Sequence, residues 1–521
     1  MSVTRNSRFF KFILIAFVVT IFIVIATRHT VLKTSDLDNQ EYPREFLPKT
    51  SEEEVVNPNQ ETTNNNENQE NAIKVEEDKN SDNAAEVVDN IEVVSKSTED
   101  IQDTVDETMP GAYLKNFIPA ATNKSYCKFN YDLPYDLIYN SKVYLSPPEF
   151  KKNSLFKILY NAVEAHNISD VPQVTYATHM TANYAYFILE LLKRWEGLIS
   201  VAAFVPDLDS ALYMEQITQY CYCEPEMHRV SIHLVTHKLL AFSKKDMNFF
   251  RPDNCIVKDS LKIGTFKDFD DTIIYPINVV RNVARTSALT TFVLVSDVEL
   301  MPSKGLISKF LGMIKNYNKT DVKEVYALPL FEVEKTATVP DSKDQLLKLL
   351  NANQAVYYHE KSCPQCQKFP EIEEWLTNGY SDEIRPFIKV KRQGAFFRWD
   401  PVFIGTNADP LYSEKLSWEG LYDKIIHSLE MCLQDYNYTI LDNAFLCHWP
   451  GIKQESDQEW RLPFIEQNQI EYTEIIENLL KKYKNIPECK GSWILDRVKN
   501  NLSLNNEKLN VSVTDTVVDN V

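Results

Sequence analysis

Two carboxylates spaced two residues apart, Asp297 and Glu299, follow an uncharged run of β-branched, aromatic and aliphatic residues, TFVLV at 291–295. If the residue between them stays extended, both side chains leave the backbone on the same side. Their hard oxygens could then hold a divalent cation that bridges a diphosphate, and such an ion is a Lewis acid for a departing nucleotide. The competing reading is a strand that simply ends at the surface, since Asp-x-Glu triplets arise often by accident. Only the surroundings separate the two.

Those surroundings must supply a scaffold. The run at 291–295 suits a central strand covered on both faces, and open α/β sheets bind ligands beyond the carboxyl ends of such strands. Ahead of it, Pro276 stands where a helix would start, and Ile277, Val280, Ala284 and Ala288 recur three or four residues apart to form an apolar face. The other face carries Asn278, Arg281, Asn282 and Arg285, which either line a site or are an ordinary solvated surface. A Pro-Ser-Lys-Gly turn follows at 302–305. This succession is the arrangement expected of a nucleotide-sugar transferase. Upstream, 173–177 and 197–205 read as buried strands with a helix over 182–194 between them, and 230–235 continues the series. From about 111 to 500 the chain alternates apolar runs with amphipathic stretches, the pattern of an α/β domain.

The flanks read differently. The chain has 521 residues with 55 Lys plus Arg against 74 Asp plus Glu, a net charge of −19, of which residues 31–110 hold −16. No aromatic residue or cysteine lies between Leu47 and Pro110. Such a segment cannot bury enough apolar surface to offset the entropy of ordering, so 28–110 reads as an extended acidic stem. Before it, 12–26 is uncharged and apolar, preceded by Arg5, Arg8 and Lys11. That predicts a retained signal anchor over 9–27 with residues 1–8 cytoplasmic and the rest luminal, a type II topology. A cleaved signal peptide is the rival, although no small-x-small cleavage site precedes Arg28. The catalytic domain is expected over 111–500, with a flexible tail at 501–521. The acidic balance argues against nucleic acid as a partner.

Six Asn-x-Ser/Thr sequons (Asn123, Asn167, Asn318, Asn437, Asn501, Asn510) suit a luminal chain. All nine cysteines lie beyond the stem, and an odd number leaves at least one outside intramolecular pairs. Cys363-Pro-Gln-Cys366 near His359 suits a disulfide-stapled loop better than zinc, because no second CxxC completes a ligand set.

The segment YPINVVRNVARTSALTTFVLVSDVELMPSKGL at 275–306 resembles glycosyltransferase family 49. Further similar stretches follow in order: YALPLFEVEKTATVPDSKDQLLKLL at 326–350, the CPQC loop, RWDPVFIG at 398–405, LYSEKL at 411–416 and LEMCLQDYNYTILDNAFLCHWPGIK at 429–453. The likeness spans about 170–485, and its single-domain layout is nearer the family's glucuronyltransferase branch. The resemblance implies a GT-A fold with a central mixed sheet, Mn2+, a UDP-sugar donor and a Golgi membrane location. It further implies transfer of glucuronic acid from UDP-glucuronic acid to a xylose-bearing O-mannosyl glycan of the dystroglycan type. Asp297 and Glu299 then fall on the family's metal-binding DxD, with Glu replacing its usual second Asp, and His448 falls on the histidine that completes the metal site. Family members tend to read YDERF where this chain has Tyr412-Ser413-Glu414-Lys415-Leu416. An inverting transfer needs a base, for which Asp400, Glu414 and Asp423 are the candidates. Asn278, Arg281, Asn282 and Arg285 are expected at the donor, and Lys453 at the leaving diphosphate. Two alternatives stay open at this level: transfer of another sugar such as xylose, and a membrane-tethered glycan-binding protein without turnover.

Overall fold

The computed structural model describes residues 119, 125–130, 155–166, 173–207, 209–237, 240, 252–256, 273–317, 323–364, 366–454, 459–483 and 487–489. The expected tail, anchor, stem and C-terminal extension lie outside the described residues, as do all the sequons except Asn437. Among the described residues no helix is long and apolar enough to cross a membrane.

The strands are β1 (Lys128–Phe129), β2 (Phe156–Glu164), β3 (Val174–Thr181), β4 (Ile199–Phe204), β5 (Val230–His237), β6 (Phe292–Val295), β7 (Leu300–Pro302), β8 (Glu324–Leu328), β9 (Leu330–Val333), β10 (Ala355–Tyr357), β11 (Arg385–Val390), β12 (Val402–Gly405), β13 (Asn437–Asp442) and β14 (Leu446–His448). The helices are α1 (Phe187–Leu192), α2 (Asp209–Cys223), α3 (Ile277–Thr286), α4 (Leu306–Asn316), α5 (Lys343–Asn351), α6 (Ile372–Thr377), α7 (Ile425–Leu433) and α8 (Leu462–Lys482).

Ten strands form one sheet in the order β1-β2-β5-β4-β3-β6-β12-β8-β13-β11. The run β5-β4-β3-β6 is parallel throughout. β12 then enters antiparallel between β6 and β8, β13 pairs parallel with β8, and β11 closes the edge antiparallel. The architecture is therefore the mixed α/β sheet expected from the alternating pattern. A second sheet, β10-β9-β14-β7, stands beside the end of β6.

The helix expected over 182–194 is shorter. Residues Ala182–Tyr184 form a 3-10 turn, and the α-helix begins only at Phe187. The Thr181 hydroxyl bonds to the Asn183 amide oxygen at 2.5 Å, a local side-chain contact that competes with helical geometry at this junction.

Helix α3 positions the site. Its apolar face (Ile277, Val280, Ala284) packs in one cluster with Ala177 of β3 and Ala202 and Phe204 of β4. Its polar face is not solvated: Asn278, Arg281, Asn282 and Arg285 are all buried, because residues 406–423 lie across them. Four disulfides, Cys127–Cys221, Cys223–Cys255, Cys363–Cys366 and Cys432–Cys489, leave Cys447 as a buried free thiol. The CPQC loop is thus a disulfide loop rather than half of a zinc site.

Candidate functional site

The parallel register of β3 and β6 sets Ala177 opposite Val295. Two residues further, beyond the end of β6 and near the carboxyl end of β3, His179 meets Asp297, with Nε2 3.2 Å from Oδ1. The other ring nitrogen of His179 bonds to the Tyr275 hydroxyl at 2.8 Å. Tyr176, from inside β3, donates its hydroxyl to the carbonyls of Asp297 (3.1 Å) and Leu300 (2.7 Å) and so fixes the turn from β6 into β7.

Asp297 also collects two cations. Arg281 Nη2 lies 3.1 Å from Oδ1, and Lys424 Nζ 3.1 Å from Oδ2. Burial alone would push this carboxyl up, but the charges of Lys424 and Arg281 and the bond from His179 hold it well below the usual aspartate range. Conversely, burial would lower Lys424, and Asp297 more than reverses that. The group is a carboxylate, and Lys424 an ammonium, at any physiological pH.

Glu299 and His448 lie 149 residues apart in sequence, and the second sheet removes that distance. β7 begins at Leu300, and β14 runs antiparallel to it with His448 opposite Leu300. His448 therefore arrives beside Glu299, with Nε2 3.7 Å from Oε2. The Nδ1 of His448 lies 2.8 Å from the Gly451 carbonyl, which can only accept. Nδ1 carries the proton, so in the neutral ring Nε2 turns a bare lone pair toward the carboxylate. Two acceptors facing each other in this way suit a shared cation. Lys453 Nζ stands 3.8 Å from the same Glu299 oxygen and 3.1 Å from the Tyr358 hydroxyl. Burial raises the Glu299 carboxyl, but the bond His448 donates when its ring is charged, and the Lys453 charge, outweigh it and leave the group lowered.

These groups open on a cleft of about 400 Å³ whose wall includes His179, Tyr275, Asp297, Glu299, Trp418 and Lys453. Among the described residues no three His, Cys, Asp or Glu side chains already converge closely enough to grip an ion. Lys424 and Lys453 stand against the carboxylates instead.

The remaining residues expected from the sequence lie behind the cleft. Asn278 donates to the carbonyls of Ser413 (2.7 Å) and Asp423 (3.0 Å). Asn282 donates to the Tyr412 carbonyl and to Glu414, both at 2.8 Å, and accepts from Tyr412 N–H. Arg285 donates to the carbonyls of Thr406, Asp409 and Pro410. These three side chains clamp the 406–423 segment, while Arg281 alone of the polar face reaches Asp297. Of the three candidate bases, Asp423 pairs with Arg281 and Glu414 with Asn282. Asp400 sits in a tight niche with Asp297, Arg281, Tyr412 and Lys424, where burial pushes its carboxyl up. Its backbone N–H is bonded to the Cys366 carbonyl, so the CPQC loop fixes its place.

Four site residues were not foreseen. His179 had a legible signal, since it stands near the carboxyl end of a parallel strand whose neighbour leads into Asp297. Tyr176, Tyr358 and Lys424 had none, because each reaches the site through tertiary contacts with no trace in local spacing.

Residues 173–484 match the family model described as "Glycosyl-transferase for dystroglycan". The chain is 28% identical over 328 residues to beta-1,4-glucuronyltransferase 1 of Danio rerio, covering 60% of this chain and 74% of the relative. To its Homo sapiens namesake it is 25% identical over 331 residues, covering 61% and 78%. The xylosyl- and glucuronyltransferase LARGE2s of Gallus gallus is 22% identical over 318 residues, covering 59% of this chain and 36% of the relative. A crystal structure of GalNAc-T7 with UDP, GalNAc and Mn2+ aligns with a TM-score of 0.32 and 8% identity over 74% of this chain and 70% of that one, too slight a likeness to bear on the site.

Proposed function

Since the chain belongs to the family of glycosyl-transferases for dystroglycan and is a UDP-sugar glycosyltransferase, we propose that it moves glucuronic acid from UDP-glucuronic acid to a xylose-terminated glycan of the O-mannosyl type. The relatives that carry this reading are named beta-1,4-glucuronyltransferase 1. The structural observation that supports it is a cleft at the carboxyl ends of β3 and β6 walled by Asp297, Glu299 and Lys453, with Arg281 and Lys424 paired to Asp297 from behind. The proposed setting is the Golgi membrane, with the enzyme held in type II orientation by residues 9–27.

Asp297, Glu299 and His448 would hold Mn2+, whose charge when bound would polarise the diphosphate as a Lewis acid. His448 suits this role because the Gly451 carbonyl accepts a hydrogen bond from Nδ1–H, which keeps the proton on Nδ1 and leaves Nε2 free to ligate. Lys424, held charged by Asp297, and Lys453, held charged by Tyr358 and Glu299, offer positive charge to a nucleotide diphosphate as it departs. Arg281 is braced by Asp423 and Asn278, so its guanidinium stays fixed against Asp297. Asp423 and Glu414 serve as positioning groups for Arg281 and Asn282.

The test is a donor screen. The purified protein with Mn2+ and a xylose-terminated oligosaccharide should transfer from UDP-glucuronic acid and not from UDP-xylose or UDP-glucose. Preferred use of UDP-xylose would overturn the glucuronyl assignment, and glycan binding without transfer from any donor would overturn the enzyme.

A further inference from the structure

An aromatic surface continues outward from the cleft. Trp418, in its wall, is 38% exposed, and Trp460 beyond it is 52% exposed. The two rings lie 6.1 Å apart at 42°, and Phe464 continues the series 6.3 Å from Trp460. They come from different parts of the chain, Trp418 between β12 and α7 and Trp460 just ahead of α8.

Arg461 holds them together. Its guanidinium stands 4.0 Å from the centroid of Trp418 and 4.6 Å from that of Trp460, close enough for cation–π attraction to both. It also donates to the carbonyls of Trp418 (2.9 Å) and Glu419 (3.2 Å). Glu419 in turn accepts the Tyr275 N–H at 3.0 Å, and Tyr275 bonds to His179. Asn468 fixes the same loop, donating to the carbonyls of Ser417 and Leu421. The platform is therefore rigid and tied to the residue that touches Asp297.

Exposed tryptophans need a reason. Trp195, Trp375 and Trp399 are buried in this chain, and among the described residues the large exposed indoles are these two neighbours. A contiguous exposed aromatic patch beside a cleft marks a binding surface. A pyranose ring has an apolar C–H face and a polar hydroxyl rim. It can therefore lie flat on an indole while its rim stays in water, which fits rings that are about half exposed. The nucleotide has another place, since ligands of open α/β sheets sit beyond the parallel strand ends. Trp418 and Trp460 belong to neither of those strands.

We propose that Trp418 and Trp460, braced by Arg461, form a stacking platform for the acceptor glycan, Trp418 under the terminal sugar and Trp460 under the sugar before it. This rests on the transferase reading above and adds which wall of the cleft takes the acceptor.

The experiment compares the wild-type protein with Trp460→Ala and Trp460→Phe, using UDP-glucuronic acid and Mn2+ with two acceptors, methyl β-xyloside and a xylose-terminated oligosaccharide. Trp460→Ala should raise KM for the oligosaccharide about tenfold, the scale of losing one aromatic anchor, while KM for the donor stays unchanged. KM for methyl β-xyloside should hardly move, and Trp460→Phe should recover most of the loss. An unchanged oligosaccharide KM, an equal rise for methyl β-xyloside, or a rise in donor KM would each overturn the platform. Absence of transfer by the wild type would instead overturn the transferase reading, so the two failures are distinguishable.

Discussion

Gly420 has no room for a side chain. A Cβ there would overlap Cγ and Nδ2 of Asn468 on α8 and crowd its Cβ, so Gly420→Ala must push Asn468 out of place. The Asn468 amide makes four bonds to the loop: Oδ1 accepts from Ser417 N–H (3.1 Å) and hydroxyl (3.3 Å), and Nδ2 donates to Ser417 (2.9 Å) and Leu421 (3.1 Å) carbonyls. At roughly 0.5–1.5 kcal/mol each, with the displaced amide recovering part of these bonds in its new position, the cost is about 2–4 kcal/mol. For a domain of this size that lowers the melting midpoint by roughly 3–6 °C. Gly312, inside α4, provides the contrast. Nothing lies within 4 Å of its would-be Cβ, so Gly312→Ala should stabilise by about 0.5–1 kcal/mol through helix propensity. Differential scanning calorimetry of both variants and of the pair Gly420→Ala/Asn468→Ala checks the reasoning. The double variant should melt only a little below Asn468→Ala alone, because the second change removes the Cγ and Nδ2 that the first one strikes and leaves only the Cβ to give way. A Gly420→Ala protein that melts with the wild type, or fully additive losses in the pair, would refute the clamp.

Other outcomes follow from the site and the core. Glu299→Gln keeps the shape of a partly exposed side chain but removes its charge, and should cut transfer by roughly two orders of magnitude with melting unchanged, as measured by radiolabelled sugar incorporation. His233 accepts the Asn161 N–H on Nδ1 (2.9 Å) and sits against Ser200, and burial drops it to about 3. The unfolded chain, with its histidine near 6.5, binds this proton first, so stability is full above that pH and is lost as pH falls toward 3. His233→Asn, which keeps an acceptor, should reduce the slope of stability against pH in that window by about 1.4 kcal/mol per unit, read from denaturant titrations at several pH values. Cys447 is the single cysteine outside the four disulfides, and burial raises its thiol. A thiol reagent should find no reactive group in the native protein and one per chain after unfolding without reductant.

The parallel half of the fold was legible because its strands are buried on both faces and read as continuous apolar runs: TFVLV announced β6, and with it the place of Asp297. The antiparallel intruder β12 was not, since four residues between Pro401 and Thr406 carry no periodicity that fixes a partner. The polar face of α3 was visible as a face but not as buried. What covers it is the irregular 406–423 segment, and a covering loop leaves no regular pattern. For the same reason Asn278, Asn282 and Arg285 looked like ligand contacts, although their donors are engaged by loop carbonyls. The position of His448 came from family resemblance, and its physical basis is the pairing of β14 with β7, a long-range event beyond any local window.

That late pairing orders the making of the protein. β14 lies between β7 and β9, so the small sheet cannot close until about 150 further residues have followed Glu299 off the ribosome. At 5–20 residues per second this delay is about 7–30 s, during which the nascent chain displays its acidic pair without the imidazole that completes it. A partly synthesised polypeptide therefore carries Glu299 with no imidazole facing it, and the two side chains meet only once β14 has been made and paired with β7.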